Sequence, residues 1–248
     1  MCPPEILSPQ PDGAPADKIR SMFALISPVY DPLNRILSGC LDQRWRRRLV
    51  REATRGLHPR RVLDVATGTG DVVWELQCAP GVRTGLVVGV DFTRPMLEQA
   101  RHKVRSASAW LEADATQLPL RDAAFDAVTV AFGLRNMTDP VAGLRQMYRV
   151  VRPGGRVAML ELTRPTHPPA RWMYDFYARC LIPRIGRIVS GTDAYAYLVD
   201  SIHAFWPPER IQRQMQQAGL EAIQTKRMTP GVACLYIGTR PADDPRGR

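Results

Sequence analysis

The chain has 248 residues, of which 45% are hydrophobic and 23% charged, and its formal net charge at pH 7 is +10. This length and composition suit one globular domain with a full core, and no stretch approaches the ~20 apolar residues that span a bilayer. The five cysteines lack C-x-x-C spacing and the first residues lack a basic, then apolar, signal pattern, which argues against a disulfide framework or a secreted protein and favours the reducing cytoplasm.

The N-terminal part of the chain divides into two segments. Residues 1 to about 17 contain five prolines and are expected to be disordered. An amphipathic pattern over 19–50 predicts two helices around a turn at 38–42, with Asp42 as a candidate N-cap of the second helix. That helix surrounds Trp45 with arginines, namely Arg44, Arg46, Arg47 and Arg48.

Two short apolar strands with an acid at or near the tip follow. The run RVLDVATGTGD at 61–71 predicts a strand at 62–66, a glycine turn and a helix at 71–77, and LVVGVD at 86–91 predicts a strand at 86–90. A strand, a glycine-rich turn and a helix form a nucleotide cradle. The dinucleotide fingerprint G-x-G-x-x-G is incomplete, because its third glycine position holds Val73.

The acids of this region indicate which nucleotide binds. Asp64 and Asp71 flank the turn and would repel a pyrophosphate, so they suit a ligand with positive charge and no phosphate. Asp91 lies 21 residues after Gly70, where an acidic side chain takes the hydroxyls of a ribose. S-adenosylmethionine, with its ammonium, sulfonium and ribose, fits these features better than NAD does.

The remaining elements complete an alternating pattern. Helices are predicted at 94–104 and 141–150, and strands at 110–112 and 127–131. Pro153 and two glycines predict a turn at 152–156, before a strand at 157–162. An aromatic and arginine-rich insertion at 165–208 then predicts a lid, before a helix at 210–218 that ends at Gly219 and a final antiparallel pair at 221–227 and 232–239.

These elements predict a three-layer α/β sandwich of the class I methyltransferase (Rossmann-like) type. Its seven-stranded sheet is expected to be mostly parallel, with an antiparallel last strand. Residues 18–240 would form a single domain, and residues 241–248 a flexible tail.

Segments outside the glycine turn are more specific. They are YDPLN at 30–34, DQRWR at 42–46, FGLRNMT at 132–138, YRVVRPGG at 148–155, YDFY at 174–177, PRIG at 183–186 and YAYLVDSI at 195–202. With them the chain, from about Met22 to Thr239, resembles the demethylmenaquinone/ubiquinone-biosynthesis C-methyltransferase family. The resemblance implies methyl transfer from S-adenosylmethionine, leaving S-adenosylhomocysteine, to a ring carbon of a polyprenylated quinol.

The resemblance also carries cofactor positions onto this chain. By motif they fall on Thr69, Asp91, Asp114 and Ala115, and a family serine is Ala131 here, so its hydroxyl is lost. A family glycine is replaced by a threonine at position 67. Together with the turn residues, the predicted cofactor-binding set is Asp64, Gly68, Thr69, Gly70, Asp91, Phe92, Asp114, Ala115 and Ala131.

The chemistry implied by the resemblance asks for a group that favours a phenolate-like transition state. Arg135 is the first candidate, Asn136 a candidate to hold the ring hydroxyl, and Tyr30 a candidate pocket residue or hydrogen-bond donor. A surface ion pair for Arg135 and ordinary packing for Tyr30 remain open. Packing in the core also remains open for the aromatic segment at 172–177. The scattered histidines show no metal-ligand spacing.

Partners follow from charge and from the implied substrate. The arginines of the insertion, Arg171, Arg179, Arg184 and Arg187, are either a solvated face or a contact with anionic lipid at the inner side of the membrane. No basic and aromatic pattern of a nucleic-acid module is present, and a homodimer is compatible with the sequence. Two other functions stay open: methylation of another lipophilic acceptor, such as a phospholipid amine or a secondary-metabolite phenol, and a non-catalytic subunit that binds S-adenosylmethionine.

Overall fold

A seven-stranded sheet lies at the centre of the chain, with the strand order β3-β2-β1-β4-β5-β7-β6. The strands are β1 Arg61–Val65, β2 Leu86–Asp91, β3 Ser108–Glu112, β4 Phe125–Ala131, β5 Val151–Leu162, β6 Glu221–Met228 and β7 Ala233–Thr239. The first five strands pair in parallel, and β7 runs antiparallel to both of its neighbours. The predicted α/β sheet with an antiparallel last strand is confirmed.

The computed structural model describes residues 16–79, 82, 85–104, 108–182, 184 and 194–242. Its α-helices are α1 Ala16–Ile26, α2 Tyr30–Ser38, α3 Leu41–Thr54, α4 Asp71–Cys78, α5 Arg94–Lys103, α6 Pro140–Val150, α7 Pro168–Phe176, α8 Ala194–Ala204 and α9 Pro208–Ala218. The disorder predicted for residues 1–15, the tail at 243–248 and Arg187 of the insertion lie outside the described residues.

Helices cover both faces of the sheet, which explains why its central strands are buried on both sides. Leu144 of α6 packs with strand residues in one cluster, whereas Leu49 of α3 and Leu76 of α4 pack in another. The neighbouring residues Val62 and Leu63 of β1 belong to different clusters, as the alternation of a strand requires. The carboxyl ends of β1, β2 and β4 therefore meet at one edge, where a ligand site is expected.

The N-terminal segment differs from the prediction of two helices. A short 3-10 turn at Ser27–Val29 separates α1 from α2, because Pro28 lacks the amide hydrogen that a continuous helix needs. The prediction that Asp42 caps α3 is wrong: Cys40 is the N-cap residue and makes no side-chain cap bond. Asp42 is buried in the first turn, where it is paired with Arg46 and accepts a hydrogen bond of 2.8 Å from Ser38.

The predicted turn at 152–156 is also wrong, since β5 already begins at Val151. The segment is an irregular part of this strand, at which the register with β4 shifts. Gly154 has a φ of +72° and donates to the carbonyl of Arg240, and Arg240 donates to the carbonyl of Gly155, both at 2.9 Å. Proline and glycine ended the predicted helix correctly, but pairing with the C-terminal strand kept the segment in the sheet.

The irregular part of β5 yields a test of the fold. A Cβ on Gly155 would lie 2.8 Å from the carbonyl oxygen of Asp126 and 2.7 Å from a methyl carbon of Val151. We expect Gly155→Ala to lower the free energy of unfolding in urea by about 3 kcal/mol, because a backbone carbonyl in the sheet cannot move away. Gly154→Ala meets nothing closer than 3.6 Å and serves as the control, with about 1 kcal/mol of left-handed strain. Equal losses would contradict the packing described here.

Candidate functional site

A narrow cavity lies over the carboxyl ends of β1, β2 and β4. It is lined by Ala16, Phe23, Tyr30, Ala66, Gly68, Val90, Asp91, Phe92, Thr93, Met96, Ala113, Asp114, Ala115, Ala131, Phe132, Gly133, Asn136, Met137 and Thr138. Six of the nine predicted cofactor residues are in this set: Gly68, Asp91, Phe92, Asp114, Ala115 and Ala131. Asp64, Thr69 and Gly70 are absent from it, so the structure brings together most of the prediction but not the whole of it.

The glycine turn is fixed by its neighbours. Gly68 and Gly70 have φ values of +55° and +82°, a region that favours glycine. A Cβ on Gly70 would lie 3.0 Å from both Ala100 and Trp110. The first glycine therefore borders the cavity, and the second allows α5 and β3 to approach the turn.

Asp91 connects this turn to the end of β2. Its two carboxylate oxygens accept hydrogen bonds of 2.8 Å from the backbone amides of Gly68 and Thr93. Burial raises the pKa of Asp91, and these backbone donors oppose that shift. Each carboxylate oxygen accepts more than one hydrogen bond, so the group has capacity left for two hydroxyls of a ligand in the cavity.

The chemistry of the cavity fits an adenosine group. Asp91 offers acceptors for ribose hydroxyls, and Asp114 adds an exposed carboxylate at the rim. Phe92, Met96 and Met137 supply the apolar surface that a flat base needs. No group in this arrangement demands a pyrophosphate.

Asp64 has a structural position beneath the turn. It is 1% exposed and accepts hydrogen bonds of 2.6 Å from Thr129 and 2.7 Å from Thr67. Burial raises its pKa to about 7, against the opposing effect of the two hydroxyl donors. The threonine that replaces a family glycine thus directs its hydroxyl to this carboxylate.

Asp71, the second acid expected to face the ligand, is paired with cations. It lies 2.6 Å from the amine of Lys103 and 3.6 Å from the guanidinium of Arg46. Burial opposes ionisation, but these cations prevail and lower its pKa. The structure therefore differs from the prediction that Asp64 and Asp71 present negative charge to a ligand. Asp64 is enclosed, and the charge of Asp71 is neutralised by its cations.

Lys103 joins the glycine turn to the N-terminal helices. Its amine is paired with Asp31 of α2 and Asp71 of α4, and donates to the hydroxyl of Thr69 at 3.0 Å. Thr69 in turn donates to Asp31 at 2.6 Å. We call these four residues the latch. Sequence reasoning missed the roles of Lys103 and Asp31. The scarcity of lysine in the chain was the available signal.

A second, wider cavity of about 440 Å³ adjoins the first. It is lined mainly by apolar side chains of α2, α3, the segment after β5, and α8, with Leu37, Leu41, Trp45, Leu162, Ala170, Met173, Tyr174, Tyr177, Ile182, Leu198, Ile202 and Val232 among them. Its size is that of a small-molecule site. Tyr30 and Phe132 line both cavities, so the two spaces meet at these side chains.

Arg135 lies in the wall of the wide cavity as part of a buried ion pair. Its guanidinium is 2.6 Å from Glu161, which also accepts hydrogen bonds from the backbone amides of Arg135 and Leu162. The Nε atom of Arg135 is buried and has no hydrogen-bond partner among the described residues. The surface ion pair left open by the sequence is excluded. Glu161 was missed, although a carboxylate inside an apolar strand was a visible signal.

The other two candidates border the same junction. Tyr30 lines both cavities, and burial raises the pKa of its phenol although the cations of Arg46 and Arg135 oppose the shift. Its hydroxyl is therefore protonated at neutral pH and able to donate. Asn136 lines the narrow cavity, donates to the carbonyl of Phe132 at 3.3 Å and accepts from Tyr197 at 3.5 Å.

The aromatic segment at 172–177 lies partly in the wall of the wide cavity and partly on the surface. Tyr174 and Tyr177 line the wide cavity, and Tyr177 donates to the carbonyl of Leu37 at 2.9 Å. Trp172 and Phe176 point outward and are 74% and 55% exposed. The insertion thus covers the cavity with one side of its helix.

Comparisons with known proteins agree with this geometry. The chain matches the model of the ubiE/COQ5 methyltransferase family over residues 13–240. It is 44% identical over 225 residues to a demethylmenaquinone methyltransferase of Thermus thermophilus, covering 89% of this chain and 100% of that protein. It is 41% identical over 230 residues to a ubiquinone/menaquinone biosynthesis C-methyltransferase UbiE of a Geobacter species, covering 90% and 97%.

Solved structures show the same fold at low sequence identity. The [4+2]-cyclase SpnF superposes with a TM-score of 0.66 at 16% identity, covering 94% of this chain and 99% of that one. A methyltransferase of Thermotoga maritima, described as S-adenosylmethionine-dependent, superposes with a TM-score of 0.59 at 20% identity, covering 88% and 99%.

The latch predicts a loss of stability when its cation is removed. Lys103→Met leaves Asp31 and Asp71 without their amine partner, and we expect the free energy of unfolding at pH 7 to fall by about 2 kcal/mol. We also expect weaker binding of S-adenosylhomocysteine in calorimetry, because the turn loses the amine that joins Thr69 to Asp31 and Asp71. Arg94→Met, which removes an exposed pair with Glu98, is the control and should change stability by less than about 0.5 kcal/mol. Equal effects of the two variants would refute the latch.

Asp64 predicts a specific dependence of stability on pH. Its folded-state pKa of about 7 lies above the ordinary value of 3.8, so the folded chain binds more protons than the unfolded chain between these values. The contribution of Asp64 to stability is then complete below the ordinary pKa and is lost as pH rises through about 7. We expect the free energy of unfolding of the wild-type chain, relative to that of Asp64→Asn, to fall as pH rises through this window and to level off above it. A difference that stays constant with pH would contradict the raised pKa.

Proposed function

Because the chain belongs to the ubiE/COQ5 methyltransferase family, we propose that it methylates a ring carbon of a polyprenylated quinol in respiratory-quinone synthesis. The methyl donor is S-adenosylmethionine, and the acceptor is demethylmenaquinol or the equivalent benzoquinol. The family model matches residues 13–240, which include nearly all the residues that the structure describes. The proposal therefore concerns this domain.

One observation carries the proposal: the narrow cavity beside Asp91 and the wide apolar cavity meet at Tyr30 and Phe132. An adenosine group suits the first cavity, because Asp91 offers ribose acceptors beside an apolar wall. A quinol ring with an isoprenoid tail suits the second, whose lining is mainly apolar. The junction is where a donor methyl and an acceptor ring would approach each other.

The backbone at this junction is unusual. Phe132 has a φ of +59°, which is uncommon for a residue with a side chain, and it is held by a hydrogen bond of 2.7 Å from its amide to Leu160. A Cβ on the following Gly133 would lie 2.4 Å from Ala66. The strained turn after β4 thus packs directly on the end of β1. It projects the Phe132 ring between the two cavities.

The proposed reaction asks little covalent chemistry of the chain. S-adenosylmethionine supplies an electrophilic methyl group on its sulfonium. The quinol hydroxyl would give up its proton, and the adjacent ring carbon would form the new C–C bond as the C–S bond breaks. The hydrogen at that carbon would then leave as a proton and the ring oxygen would take a proton back, so that one proton is released overall. The protein therefore has to align the ring and to stabilise the negative charge on the ring oxygen.

Arg135 is suited to that second task. Its ion pair with Glu161 holds the guanidinium in the wall of the cavity, and its buried Nε–H has no partner in the described part of the chain. An unpaired buried donor is costly, and a phenolate oxygen would satisfy it. Arginine is not itself the base, because a guanidinium keeps its proton at neutral pH.

Asn136 and Tyr30 are suited to orient the ring. Asn136 is fixed by contacts with Phe132 and Tyr197, and the Tyr30 phenol remains a donor at neutral pH. Both side chains border the narrow cavity, where the ring edge would be nearest the methyl donor.

A phospholipid amine is a less suitable acceptor for the wide cavity. Asp42 supplies the one carboxylate among the described residues that line this cavity, and it is already paired with Arg46. A cationic amine would therefore enter an apolar space without a free acid. A neutral ring alcohol meets no such cost.

The direct test is methyl transfer itself. Purified protein is incubated with isotope-labelled S-adenosylmethionine and with reduced demethylmenaquinol, its benzoquinol counterpart or phosphatidylethanolamine, and the products are read by mass spectrometry. We expect one labelled methyl on a quinol ring carbon and none on the amine. Labelling of the amine alone, or of no acceptor while S-adenosylhomocysteine still binds, would refute the proposal in favour of another acceptor or a non-catalytic subunit.

Arg135 yields a sharper test by a substitution that keeps the charge. Arg135→Ala would strand the buried Glu161 carboxylate and destabilise the fold by about 3–5 kcal/mol. Arg135→Lys preserves the cation but removes Nε, so we expect kcat to fall by about 100-fold with near-normal affinity for S-adenosylhomocysteine. Tyr177→Phe, which removes a hydroxyl bonded to Leu37 elsewhere in the same cavity, is the control. Unchanged turnover of Arg135→Lys would remove Arg135 from the mechanism.

A further inference from the structure

The outer side of α7 exposes large apolar side chains. Trp172 is 74%, Met173 66% and Phe176 55% exposed, and no residue of this helix is buried. The rings of Trp172 and Phe176 stack at 6.3 Å with an angle of 17° between their planes. An ordered pair of bare aromatic rings on a surface helix is a typical interaction site. We call these three residues the α7 patch.

The orientation of the α7 patch is set by contacts on the other side of the helix. Asp175 is paired with Arg164 at 2.5 Å and lies 3.4 Å from His203 of α8. Ala170, Met173 and Tyr174 of the same helix line the wide cavity. The contacts of Asp175 therefore fix the orientation of the helix, and Trp172 and Phe176 face outward.

Exposed cations and a further exposed apolar side chain accompany the α7 patch. Arg171 lies on the helix, Arg179 and Arg184 follow it in the sequence, and all three are exposed. On α2, Ile36 is 63% exposed and precedes Leu37, whose carbonyl accepts the hydrogen bond from Tyr177. Leu37 and Tyr177 line the wide cavity, so exposed apolar residues of two helices are next in the chain to residues of its wall.

We infer that the α7 patch docks on an anionic lipid bilayer and lets an isoprenoid tail pass from the bilayer into the wide cavity. Aromatic and methionine side chains enter the acyl boundary while arginines meet lipid phosphates, which is how a surface helix binds an anionic membrane. None of the helices in the described ranges has the length and apolarity that a bilayer crossing requires, so the contact is peripheral. The tail-transfer part rests on the proposed function, whereas the docking part does not.

A bilayer explains the surface better than a second copy of the chain does. The net charge of +10 and the arginines around the patch would repel each other across a symmetric contact. The same charges favour anionic headgroups. Met173 lies both in the patch and in the cavity lining, so the outward side and the cavity are continuous through one side chain.

The test compares Trp172→Ser/Phe176→Ser with the wild-type chain. Both proteins are sedimented with vesicles of phosphatidylcholine alone and of phosphatidylcholine with phosphatidylglycerol. We expect the wild-type chain to bind the anionic vesicles and the double variant to bind them at least about tenfold more weakly. Trp74→Ser is the matched control, because Trp74 is also exposed, at 49%, but lies on α4. It should bind as the wild-type chain does.

A second measurement separates docking from catalysis. The same proteins are assayed with a long-tailed quinol in anionic vesicles and with a tail-less quinol in solution. We expect the double variant to lose turnover only with the vesicle substrate. If the wild-type chain methylates neither quinol, the proposed function fails, and the sedimentation result still decides docking.

Equal vesicle binding by the double variant and the wild-type chain would overturn the inference. If the wild-type chain is then also a dimer in sedimentation velocity, and the double variant is a monomer, the patch covers a second copy of the chain. Unchanged thermal unfolding of the double variant confirms that a loss of binding is not a loss of fold.

Discussion

The carboxylate of Asp91 is the contact on which the site depends. Asp91 is the last residue of β2, and its carboxylate accepts hydrogen bonds from the backbone amides of Gly68 and Thr93, each at 2.8 Å. These bonds fix the glycine turn over the carboxyl edge of the sheet, where parallel strands leave a crevice. The same oxygens border the cavity and keep acceptor capacity. One side chain therefore positions the turn and, in the function we propose, would also bind a ribose.

The charges around the cavities are paired before any ligand enters. Arg135 is paired with Glu161, Arg46 with Asp42, and Lys103 with two acids of the latch. A buried pair costs much less than an isolated buried charge, although it adds little to stability. The consequence is a wide cavity that is lined by charged residues in part but is close to neutral. An apolar ring and tail can therefore enter it without meeting an unpaired charge.

The sequence predicted the sheet and most of the cofactor cavity because their signals are local. A mostly parallel sheet follows from alternating helices and strands, and Asp91, Asp114 and Ala115 lie at the ends of strands that must meet at one edge. The placement of Asp64 and Asp71 failed for a different reason. Position next to the turn could not reveal which acid is enclosed by threonines and which is neutralised by a distant lysine. Such partners are set by the packing of α2 and α5, which no short spacing encodes.

The aromatic insertion shows the same limit from the other direction. Its composition predicted a lid and left core packing or pocket lining open, yet a single helical turn sends Tyr174 into the cavity and Trp172 and Phe176 to the outside. The solvent side of a surface helix is normally polar. Here nothing in the described chain covers the outer side, while Asp175 is tied to Arg164 and His203 beneath it. An exposed apolar side is costly in water, and the helix has another apolar space directly behind it. A wall one helix thick between a bilayer and a quinol-sized cavity makes that cost useful, because an isoprenoid tail then enters without crossing water.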